Sequence, residues 1–221
     1  IIGLIYLSPS LSYAERTPFS EAVFEANQRA ISWIKVNTNA GNFGGPSTPL
    51  GGLAILAQKM NGDSESPARG YRGLTVEDQN ILNQMANYTI ERNQSLRTGS
   101  GGLNFRTSTA ISFLTLFKLT GGPDLVGSRT SVSTAIINGV NALKANQGPA
   151  LDAPDDVCNT GGWSQRSPRP DGDAHITVDV LSALDLAAIY VEEATSTSPR
   201  ANTYLTQLIA LDQGGLYRGC T

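Results

Sequence analysis

A chain of 221 residues is long enough to bury a core without disulfide or metal staples, because at that size roughly 70% of the unfolded surface can be covered. The formal charge of −3 gives no global basic field, which excludes a general nucleic-acid or anionic-membrane binder. Charged residues are only 16% of the chain against a usual ~25%, while glycine is abundant at 23, a mixture that suits buried helices joined by glycine turns.

Residues 1–14, IIGLIYLSPSLSYA, are apolar but too short to span a bilayer, and they end in Ser12-Tyr13-Ala14, a small-x-small cleavage pattern. They are expected to be part of a signal peptide, with a buried N-terminal strand or helix as the alternative. The protein is then exported, periplasmic or secreted, and residues 15–221 carry the fold. An oxidising compartment would permit a Cys158–Cys220 disulfide.

From Ser20 to Asn37, Val23, Ala26, Ala30, Ile31, Trp33 and Ile34 face Glu25, Gln28, Arg29 and Lys35, which predicts an amphipathic helix. A turn cluster at 39–46 follows. The next stretch, Leu50 to Met60, is apolar on almost every side and should be a buried helix. After a polar loop, Thr75 and Asp78 resemble a capping box without its usual Glu or Gln, and Ile81, Leu82, Met85, Thr89 and Ile90 form a second amphipathic stripe. Asn87-Tyr88-Thr89 and Asn93-Gln94-Ser95 match the glycosylation sequon, a short pattern that recurs by chance.

Gly101-Gly102-Leu103-Asn104-Phe105 leads into the apolar run Ala110 to Leu119. Ser133 to Asn146 is then amphipathic through Ile136, Val140 and Leu143, and Gly161-Gly162-Trp163 leads into the apolar run Ile176 to Val191. Ser198-Pro199 reads as a helix start, with Tyr204, Leu205, Leu208 and Leu211 as a fourth stripe before Gly214-Gly215-Leu216-Tyr217. Turns at Gly44, Gly101, Gly161 and Gly214 are 57, 60 and 53 residues apart, which predicts an all-α array of about three and a half helical hairpins. Each hairpin pairs an amphipathic outer helix with an apolar inner one. A repeat cut at its turn leaves apolar surface uncapped, so the native chain is expected to continue beyond Thr221.

The residues Ala30, Ile31, Trp33 and Ile34 before Gly41-Asn42-Phe43-Gly44-Gly45, then Ala135, Val140, Leu143 and Gln147, then Gly161-Gly162-Trp163, Asp171-Gly172-Asp173, Thr177, Leu181 and Leu184, resemble a known pattern. It is the prenyltransferase and squalene-oxidase repeat of the terpenoid cyclase and protein prenyltransferase superfamily, in an exported bacterial form. The resemblance runs from about residue 20 to 221. It implies an α/α-toroid, normally of six hairpins, with the inner-helix N-termini gathered around a central cavity.

That resemblance also supplies expectations about chemistry. The family's cyclases use Asp-x-Asp-Asp as a neutral acid, but Asp152, Asp155 and Asp156 are spaced one residue too widely and favour a solvated loop. Asp156, Cys158 and His175 supply the ligand types of the prenyltransferase zinc site, yet His175 follows within one hairpin instead of a later one. The disulfide with Cys220 is the preferred use of Cys158, and no cofactor is expected unless that zinc site is real.

A feature of the residues themselves is that Phe105 with Arg106, Trp163 with Arg166 and Arg169, and Tyr217 with Arg218 each precede a buried helix, with His175 beginning the third. Such a mouth would suit a sugar, carboxylate or phosphate, because helix N-termini favour anions. Alternatively the aromatics pack between hairpins and the Arg side chains pair with Asp155, Asp171 or Asp173. The expected activity is binding of a small molecule, glycan or protein at the inner-helix N-terminal end. The alternatives are an isoprenoid-acting enzyme and a polysaccharide lyase or glycosidase, whose carboxylates would come from Asp155, Asp171, Asp173 and Asp179. One histidine leaves little room for a Ser-His-Asp triad.

Overall fold

A computed structural model describes residues 17–59, 66–100, 106–147, 162–163 and 174–188. Among the described residues the chain is all-α, with seven α-helices and no strand beyond isolated bridges. Helix α1 spans Pro18–Val36, two residues earlier than the periodicity predicts, because Thr17 caps it through the Ser20 amide and Pro18 pre-sets its first turn. Helix α2 spans Thr48–Leu56 and stops before the predicted Met60. The carbonyls of Leu56, Gln58 and Lys59 are taken by Gly70, Arg69 and the Arg69 guanidinium, so the returning chain competes with a further helical turn.

Helix α3 is Val76–Arg92, with Thr75 as its cap, accepting from the Asp78 amide at 3.2 Å. The Asp78 carboxylate does not close a capping box. It pairs with Lys35 at 2.7 Å, and Lys35 also donates to Gln58, so one cation ties α1 to the chain following α2 and to α3. Helix α4, Gln94–Thr98, breaks from α3 at Asn93, whose extended backbone and side-chain acceptance from the Leu96 amide start a new turn. Helices α5 (Arg106–Leu119), α6 (Val132–Ala145) and α7 (Ala174–Ala187) follow.

The helices pack in two rows. Helices α2, α5 and α7 touch in that order as the inner row, with α3 resting on α2 and α6 on α5. Helix α4 fills the space between α3 and α6, where Asn138 donates to the carbonyls of Leu96 and Arg97. The alternation read from the sequence is thus present for α2, α3, α5 and α6. Helix α5 carries the deepest burial, with Ala110, Ile111, Phe113, Leu114, Thr115 and Phe117 at 0–1% exposure. Burying each large side chain of this kind contributes about 1.5–3 kcal/mol.

Close approach of α2 to α5 depends on Gly52, where a Cβ would run into the Phe113 ring. Two departures from the apolar-all-round reading are informative. Leu50 of α2 is 58% exposed and Val178 of α7 is 49% exposed, whereas α5, with a neighbour on both flanks, is enclosed up to Lys118 and opens only at Leu119. The outer helix α1 buries only Ile31, leaving Phe19 and Val23 open, whereas α6 buries Ile136, Val140 and Leu143 completely.

Candidate functional site

The glycine-aromatic turns are joined to the inner helices by a recurring threonine. The Thr48 hydroxyl accepts from the Phe43 amide at 3.0 Å and donates to the carbonyl of the same residue at 3.2 Å. Thr177 treats Trp163 in the same way, at 3.0 and 3.5 Å. Both threonines are fully buried, and one hydroxyl satisfies both backbone groups of an aromatic residue. Thr107, the second residue of α5, is also fully buried and accepts from Asn93. This threonine was visible in the sequence as part of the Gly-Gly-Trp pattern at Thr177, but nothing there assigned it a bonding role.

Trp163 is consequently a packing residue in this structure. It is 1% exposed, and its indole N–H donates to the Leu143 carbonyl at 2.8 Å, which leaves neither of its N–H groups for a ligand. This is the arrangement of the alternative in which the aromatics pack between hairpins. Of the two sequons, the second has its asparagine engaged in the fold, and the first has its threonine buried. Thr89 and Asn93 are buried, and the Asn93 amide is occupied at both ends, by Leu96 and Thr107.

Arg106 lies at a helix start beside a cavity. It is the first residue of α5 and lines a cavity of about 200 Å³ at the inner-helix N-terminal end. Gly45, Pro46 and Pro49 form the wall at the start of α2. Tyr88, Thr89, Arg92 and Asn93 come from the last turns of α3 and its cap, and Ala110 comes from α5. The Arg92 guanidinium lies over the Tyr88 ring, 5.8 Å from its centroid, a cation–π contact that fixes the charge at the rim. The wall at Gly45 is tight: its φ of +58° suits glycine, and its amide donates to Asn42 at 2.7 Å.

Two arginines line this cavity and, among the described residues, no carboxylate does. The N-termini of α2 and α5 add partial positive charge, while Arg92 offsets the negative end of α3. Thr89 supplies a further polar group. It is 5% exposed, and its hydroxyl is buried without a hydrogen-bond partner. Elsewhere in the chain Ser32, Thr98, Thr120 and Ser182 each donate to the carbonyl four residues back, the ordinary helical solution. Thr89 does not. Thr115 and Asn87 also have an unpartnered oxygen, but neither lines this cavity.

Sequence reasoning found Arg106 and missed Arg92, Tyr88 and Thr89, which lie on the outer helix; no local pattern reveals that its last turns meet the start of α5. His175 is the second residue of α7 and Asp179 the sixth. Phe105, Asp152, Asp155, Asp156, Cys158, Arg166, Arg169, Asp171, Asp173, Tyr217, Arg218 and Cys220, with residues 1–14, lie outside the described residues. Among the described residues no cluster of His, Cys, Asp and Glu could hold a metal. No described helix is long and apolar enough to cross a membrane. A second concavity, of about 560 Å³, lies between α1 and the end of α2 and is lined by Phe19, Val23, Phe24, Ile31, Ile34 and Ala54 among others. It is largely apolar and offers Lys59 as its only ionisable group.

Compared with known protein families, curated proteins and solved structures, the chain matches none.

Proposed function

We propose that this chain is an exported ligand-binding domain of the prenyltransferase and squalene-oxidase repeat type, an α/α-toroid whose inner-helix N-terminal end receives a small molecule, glycan or protein segment. The observation that carries this reading is the position of the one polar cavity described: it opens between successive inner-helix starts and is lined by Arg106, the residue singled out from the turn pattern. Repetition of the turn-to-helix threonine bond at Phe43–Thr48 and again at Trp163–Thr177 supports a true structural repeat. The open apolar flank of α1 and α2 agrees with further hairpins packing there, as a ring requires.

A ligand-observed NMR screen of the full chain tests the reading, with a panel of neutral sugars, carboxylates, phosphate esters and short peptides. At least one class should give saturable binding that is lost in Arg92→Glu and kept in Phe19→Ser, which alters only the apolar groove. Absence of any binder, or binding lost only in the groove variant, would remove the proposed site.

A further inference from the structure

We draw no further inference here: the strongest candidate, the apolar groove between α1 and the end of α2, is a face left open among the described residues, and nothing in the structure shows what covers it.

Discussion

At the scale of single residues, the hydroxyl groups of Thr48 and Thr177 show how this fold solves a local problem. Helices α2 and α7 each pack beside an aromatic residue, Phe43 or Trp163, and one threonine oxygen serves both its backbone amide and its carbonyl. Replacing Thr48 by Val keeps the shape and leaves the Phe43 amide and carbonyl unpaired. The expected loss is about 1–3 kcal/mol in urea unfolding, several times that of an exposed Thr→Val control. A loss below about 0.5 kcal/mol would mean that the turn is held by packing of Phe43 against Trp33, whose rings meet edge to face at 5.5 Å. Thr89 is the contrasting case, a hydroxyl left unpaired at a cavity wall.

Residue-scale chemistry is also where the sequence was hardest to read. Asn93-Gln94-Ser95 fits two descriptions, a sequon and a helix cap. Only the position of Leu96, buried beneath α6, decides for the cap. Trp163 likewise reads as a mouth residue until the Leu143 carbonyl is seen to take its indole N–H.

At the scale of elements, apolar periodicity located α1, α3 and α6 to within two residues, because an amphipathic face has a period that packing then rewards. It misjudged the buried helices at their ends. Helix α5 begins four residues before Ala110, since Arg106, Thr107, Ser108 and Thr109 are polar yet belong to its first turn. Helix α4 was not legible, being five residues long and dependent on α6 for its cover.

Helix α6 is anchored from a distance by Asp124, which accepts from the Ser133 amide at 2.9 Å and hydroxyl at 2.6 Å and lies 3.3 Å from Lys118. Burial acts to raise its pKa, but the Ser133 hydrogen bonds and Lys118 outweigh it, and the value lies below the ordinary one. A depressed carboxylate stabilises the fold fully above its unfolded value of about 3.9, and the contribution is lost as pH falls through the lower folded value. Asp124→Asn should cost about 1 kcal/mol at neutral pH, as removal of a capping carboxylate does, and the gap to wild type should narrow as pH falls below about 3.9. A gap that stays constant from pH 7 to pH 2.5 would show that ionisation of Asp124 plays no part.

At the scale of the whole molecule, the alternation of apolar and amphipathic helices was legible for α2, α3, α5 and α6, because each carries its own pattern of faces. Which residues of neighbouring hairpins meet was not, since that depends on how α2 and α5 stack. Their contact at Gly52 and Phe113 brings two helix starts together under the end of α3, and so assembles Arg92, Arg106 and Thr89 from segments that share no local pattern. The same stacking leaves the flank of α1 open and apolar. The molecule thus offers two concavities of opposite character, one polar and cationic, the other largely apolar.

Amide-resolved NMR of the full chain, titrated with the class of the ligand panel that binds, locates the binding directly. The predicted result is saturable shifts confined to Gly45, Tyr88, Thr89, Arg92, Asn93 and Arg106, with the amides of Phe19, Val23 and Ala54 unmoved. Shifts centred on those last three residues, or none that saturate, would contradict it.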